Sequence, residues 1–222
     1  MTGVTSLRMS ARLAAIASTL VSAAMAFTVA PSAAAQPCPD IEVVFARGTN
    51  DAPGLGRPGQ AFADALRSQV GGRTLTTYAV NYPANYDFLA AADGAADATT
   101  HISQMALTCP STRIVLGGYS QGAAVVDMLA GIPPLGNKIG EVGSAAPLPS
   151  SLLPNIAAVA VFGNPATKFS NPITRSVFGG KAIDLCKDGD PICSGGRNPF
   201  AHSDYVSSGL TSQAANYVAG II

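Results

Sequence analysis

The chain of 222 residues contains no tryptophan and only two histidines, and just 12% of its side chains are charged. Thirteen Lys and Arg balance thirteen Asp and Glu, so the formal net charge is zero. A nucleic-acid binder needs a basic excess to displace counterions from phosphates, and this balance excludes that class. Disorder is excluded from the other side, because 48% of residues are apolar and such a chain without net charge favours a buried core. Zinc is a poor fit: the only histidines are His101 and His202, and the cysteine spacings are wrong for a metal knuckle. We expect no metal and no cofactor. Glycine and proline supply 23 and 16 residues without a repeat, which suggests many tight turns between short elements. Length alone predicts one domain.

What is present begins with an uncharged run. Arg8 and Arg12 precede Leu13 to Ala30, which meets Pro31 and the small cluster Ser32-Ala33-Ala34-Ala35. A positive segment, an apolar segment and an Ala-x-Ala site are the three parts of a cleavable signal peptide. The run is near the minimum length for a membrane span, but Ala, Ser and Thr dilute it and a cleavage site follows. We therefore expect a Sec-type leader over 1–35, cut after Ala35, and a single domain over 36–222 of a secreted protein. Retention at the cell envelope stays open. The two arginines are not adjacent, so a twin-arginine route has no support.

All four cysteines lie beyond the cleavage site. An even number in an exported chain suggests two disulfides, with three possible pairings. The favoured pairing is Cys38–Cys109 with Cys186–Cys193, because the second pair brackets the turn Lys-Asp-Gly-Asp-Pro-Ile.

Strands and helices alternate along the rest of the chain. Apolar, β-branched runs at 41–46, 74–80, 113–118, 156–162 and 181–185 read as strands. Helical spacing covers 61–70, 88–107, 121–129 and 204–218. Continuous apolar strands alternating with helices predict a parallel sheet covered on both faces, a three-layer α/β/α sandwich.

The chemistry starts at Gly118-Tyr119-Ser120-Gln121-Gly122, which fits Gly-x-Ser-x-Gly. A buried strand runs into it and a helix of small residues runs out. So sharp a turn needs glycine two residues either side of the serine, and it lifts the hydroxyl above the carboxyl end of the sheet. It also sets the Gln121 N–H at a helix N-terminus, where it can stabilise an oxyanion. Serine needs a base, and His202 is the only histidine after Ser120. The orienting acid should lie between them, after a late strand. Asp190 is the best candidate, held between the cysteines and before Pro191; Asp188 is the runner-up, and Asp184 belongs to the strand end. His101 precedes the nucleophile and reads as structural. The second oxyanion donor is expected from the loop after the first strand, at the Thr49 N–H, with its hydroxyl as a further donor. Gly54-Leu55-Gly56-Arg57-Pro58-Gly59 fits Gly-x-Gly-x-x-Gly, but it starts too late after the strand and lacks the acid of a dinucleotide site. We expect no nucleotide.

Ala46-Arg47-Gly48-Thr49, Gly118 to Gly122, Gly189-Asp190-Pro191-Ile192-Cys193 and His202, with four flanking cysteines, resemble the cutinase family, in particular its secreted mycobacterial members. The resemblance implies a small α/β-hydrolase with a five-stranded parallel sheet and a Ser120–Asp190–His202 triad. It also implies an oxyanion hole of Thr49 and Gln121, and the disulfide pairing favoured above. The implied activity is serine-esterase hydrolysis of small-molecule or lipid esters by a monomer. The chain is too short to carry a lid domain, so an open site for short to medium acyl chains is expected. Tyr82, Phe88, Ile192 and Phe200 are candidates for its acyl groove. An acetylxylan-type carbohydrate esterase and a non-catalytic secreted binding protein are the alternatives.

Overall fold

The computed structural model describes residues 1–3, 37–136 and 143–222. Residues 1–36 and 37–222 form separate units, and all the described helices and strands belong to the second. Apart from residues 1–3, the expected leader, with its cleavage site, falls outside the described residues.

In chain order the elements are β1 (Ile41–Ala46), α1 (Gly56–Arg67), β2 (Leu75–Ala79), α2 (Ala91–Thr108), β3 (Arg113–Tyr119), α3 (Gln121–Leu129), β4 (Ile156–Phe162), the short α4 (Pro165–Lys168), β5 (Ala182–Leu185) and α5 (Leu210–Ala219). The sheet has five strands in the order β2-β1-β3-β4-β5, and every neighbouring pair is parallel. All six residues of β1 are buried, as the continuous apolar run predicts for a central strand. Val44, Leu116, Val159 and Val161 face α2 and α3 in one core. Val43, Phe45, Val115 and Phe162 face α1 and α5 in the other. Phe45, Phe62 and Phe162 meet there with ring centroids 5.9–6.4 Å apart.

The starts of α1 and α5 move furthest from the sequence reading. Helix α1 starts at Gly56 rather than Ala61, because Gly59 lets it press against the Phe45 ring where a Cβ would collide. It stops before Gly71 and Gly72, whose φ of +64° and +84° lie in the left-handed region. Helix α5 starts at Leu210 rather than near Asp204, because Gly209 at φ +78° ends a turn that carries Tyr205 inward. The Gly54–Gly59 run thus leads into α1, with Gly59 as a close packing contact.

His101 sits on α2 with Nε2 2.8 Å from Glu42 Oε2 and its ring stacked on Tyr78 at 3.5 Å. It ties helix to sheet near the start of β1, as expected of a structural histidine. Disulfides join Cys38 to Cys109 and Cys186 to Cys193, the favoured pairing. Among the described residues no helix is long and apolar enough to cross a membrane.

Candidate active site

The chain runs outward from β1 to β2, then crosses back to β3, so β1 and β3 are neighbours whose following connections leave on opposite faces. Parallel sheets bind ligands at such a point, beyond the carboxyl ends of the strands. Thr49 follows β1 there and Ser120 follows β3.

Ser120 has φ +55° and ψ −117°, a strained conformation for a side chain with a Cβ. The strain is held on both sides. Its N–H donates to Phe162 O at 2.9 Å, and its carbonyl accepts from Ala123 N at 2.9 Å. A Cβ on Gly118 would overlap the Gly122 carbonyl, and one on Gly122 would overlap the Ala46 carbonyl. Both glycines are therefore fixed by backbone contact, and the second seats α3 directly on β1.

His202 lies in the single-turn segment 199–203, with Nε2 2.8 Å from Ser120 Oγ and Nδ1 2.8 Å from Asp190 Oδ2. Asp190 is wholly buried, yet its carboxyl lies below the usual range. Burial pushes it up, but hydrogen bonds from His202, the Tyr205 hydroxyl at 2.6 Å and the Ile192 N–H at 2.8 Å outweigh that. An ionised Asp190 accepts only, so His202 Nδ1 carries the proton and Nε2 is left to accept from the Ser120 hydroxyl. Burial also raises the Tyr119 and Tyr205 phenols, which keeps both as donors. Tyr119 lies against the imidazole at 5.1 Å and donates to the His202 carbonyl. Asp188 is exposed, and Asp184 is engaged within β5 by Asn164, Thr167 and the Ile173 N–H; neither reaches the imidazole.

Among the described residues the N–H groups of Thr49 and Gln121 have no acceptor. The Thr49 hydroxyl is spent differently from expectation: it donates to Gln121 Oε1 at 3.2 Å. The loop bearing Thr49 is anchored by Arg47, which is buried and donates to the carbonyls of Asp51, Val80, Tyr82 and Pro83.

A cavity of about 470 Å³ opens beside Ser120 and His202, and its apolar wall includes Tyr86, Phe88, Ala124, Leu135, Pro165 and Ile192. Phe88 and Ile192 were expected in it. Tyr82 was too, but it is core, with its hydroxyl given to the Arg47 carbonyl. Phe200 is 81% exposed and lies beside Arg57 and Lys187 in a different hollow, because the turn that delivers His202 points it the other way. Leu135, Pro165 and Tyr205 carry no local motif and were missed.

The cutinase family model matches residues 37–222. Phospholipase Culp4 of Mycobacterium tuberculosis is 54% identical over 196 residues, covering 87% of this chain and 83% of that protein. Carboxylesterase Culp1 of the same organism is 46% identical over 220 residues, covering 93% and 94%. Trichoderma reesei cutinase, solved with a phosphonate inhibitor, superposes with a TM-score of 0.67 at 34% identity over 83% of this chain and 77% of that one. An acetyl xylan esterase reaches 0.71 at 28% identity over 83% and 99%. With a family model spanning the folded unit and relatives near half identity over most of its length, this chain belongs to the cutinase family.

Proposed function

We propose that this chain is an exported serine esterase that cleaves carboxylic esters of short to medium acyl chains by acyl transfer. The observation that carries it is the unbroken hydrogen-bonded line from Ser120 through His202 to Asp190 at the mouth of an apolar cavity. Ester hydrolysis fits both the family and the carboxylesterase relative. Ser120 Oγ attacks the ester carbonyl carbon while its proton passes to His202 Nε2. Asp190 stabilises the imidazolium that forms. The oxyanion sits on the N–H groups of Thr49 and Gln121, each worth about 3 kcal/mol of barrier. As the carbonyl reforms, the alcohol leaves with the proton from His202. Water, deprotonated by the same nitrogen, then attacks the acyl-enzyme and frees the acid and Ser120.

The cavity wall is aromatic and aliphatic, which suits an acyl chain better than an acetylated sugar. This favours a lipolytic substrate over the carbohydrate-esterase alternative, although an acetyl xylan esterase shares the fold. Phospholipid cleavage, the activity in the Culp4 name, belongs to the same acyl-transfer chemistry. Export rests on the leader-like run ahead of the folded unit, and a monomer remains our expectation.

The test is hydrolysis of a p-nitrophenyl ester series from acetate to palmitate by residues 36–222. We expect a maximum at short to medium chains and a loss of at least about 1,000-fold in Ser120→Ala with an unchanged melting temperature. Equal rates in the two proteins would overturn the reading.

A further inference from the structure

Asp190 spends one oxygen twice. Oδ2 accepts from His202 Nδ1 at 2.8 Å and from the Tyr205 hydroxyl at 2.6 Å, while Oδ1 accepts from the Ile192 N–H at 2.8 Å. Tyr205 is wholly buried and cannot swing away. Its oxygen also accepts from the Lys187 N–H at 3.1 Å and touches Cys193 Sγ at 3.4 Å. Its ring is wedged between Tyr119 and Phe162, with centroids 5.6 and 6.1 Å away. The phenol is therefore a rigid donor aimed at the oxygen that the imidazole needs.

We propose that Tyr205 is a positioning residue of the esterase reaction: by sharing Asp190 Oδ2 with His202, it holds the carboxylate in register and weakens it as an acceptor, which sets the pH at which His202 becomes a free base. The proposal rests on the Ser120–His202–Asp190 reading above. A carboxylate relieved of a second donor concentrates its charge on the remaining one and holds the imidazolium more tightly. Removing the hydroxyl should thus keep His202 protonated to higher pH. Other groups around the imidazole do not duplicate this. Tyr119 gives its hydroxyl to the His202 carbonyl, not to the ring. Lys187 and Asp204 offset one another at 3.8 Å. Asp51 and Arg57, from the loop after β1 and the start of α1, act with opposite sign on Tyr119.

The experiment compares wild type with Tyr205→Phe in the pH dependence of kcat/KM for p-nitrophenyl butyrate. In parallel, His202 is titrated by NMR in the Ser120→Ala background, where turnover plays no part. The expected result is an acid limb moved upward by about half to one pH unit, with the same displacement of the imidazole titration. Loss of maximal kcat should be several-fold, with KM changed less than twofold. Site-specific 3-fluorotyrosine at 205, a stronger donor of nearly the same shape, should move both readouts downward; it also stands in if Tyr205→Phe does not fold. A merely structural tyrosine would not give shifts of opposite sign. Curves that superpose on wild type overturn the proposal. An inactive wild type whose His202 titration still moves would defeat the esterase reading and leave the coupling standing.

Discussion

Asp190 shows how far single residues can be read. Its place between Cys186 and Cys193 and before Pro191 marked it above Asp188 and Asp184, and it alone of the three reaches His202. The partner that steadies it was not legible. Tyr205 stands three residues after His202 with no motif around it, and only the inward turn ending at Gly209 brings its hydroxyl to the carboxylate. The same holds for Leu135 and Pro165, which reach the cavity through tertiary packing. Asp190→Asn keeps the shape of the side chain but offers an amide in place of a pure acceptor, which favours the wrong imidazole tautomer. We expect kcat to fall by about 10⁴, measured with p-nitrophenyl butyrate, while the melting temperature changes by only a few degrees. Loss of fold in step with activity would show that Asp190 acts chiefly as a structural anchor. Because its folded-state pKa is lowered, Asp190 stabilises the fold above the ordinary carboxylate pKa of 3.8, and that contribution is lost as pH falls through the lower native value.

At the scale of elements, β1, α3 and β4 match their reading to the residue, because buried parallel strands and a helix launched by Gly-x-Ser-x-Gly leave little ambiguity. The ends of α1 and α5 shifted, because close approach to Phe45 and the glycines at 71, 72 and 209 decided them rather than apolar periodicity. One junction between elements was invisible in the sequence. Asp127 of α3 and Asp184 of β5 are bridged by Asn164, whose Nδ2 donates to Asp127 Oδ1 at 3.1 Å and to Asp184 Oδ2 at 2.9 Å. Asn164 also caps α4, whose first residue, Pro165, lines the cavity. Burial, reinforced by Asp184, holds the Asp127 carboxyl well above its ordinary range. The folded state therefore binds a proton that the unfolded chain has released. Stability from this group falls as pH rises from the unfolded value near 3.8 through the native one. Asp127→Asn mimics the protonated acid. Urea unfolding between pH 5 and 8 should show a flatter decline in the midpoint for the variant, with its advantage over wild type largest at pH 8. A parallel decline in both proteins would place the proton elsewhere.

Over the whole molecule, the two disulfides divide two tasks that the fold keeps apart. Cys38–Cys109 closes 71 residues and ties the segment before β1 to the end of α2, at the opposite end of the sheet from Ser120. Cys186–Cys193 closes only 7 residues, but those residues hold Asp190. Loop-closure entropy assigns about 4.4 kcal/mol to the long bridge and about 2.5 kcal/mol to the short one. Replacing Cys38 and Cys109 together by alanine should therefore cost the larger share of unfolding free energy in urea, while kcat/KM of the folded fraction at 25 °C stays within about twofold of wild type. Replacing Cys186 and Cys193 should reverse the balance. The stability loss is smaller, but the turn that delivers Asp190 is released, the Cys193 contact with Tyr205 goes with it, and activity should fall by at least about tenfold. Measuring both quantities on both variants separates the tasks. Equal activity loss in the two would mean that the carboxyl end of the sheet depends on the long bridge, contrary to the way the strands hold it.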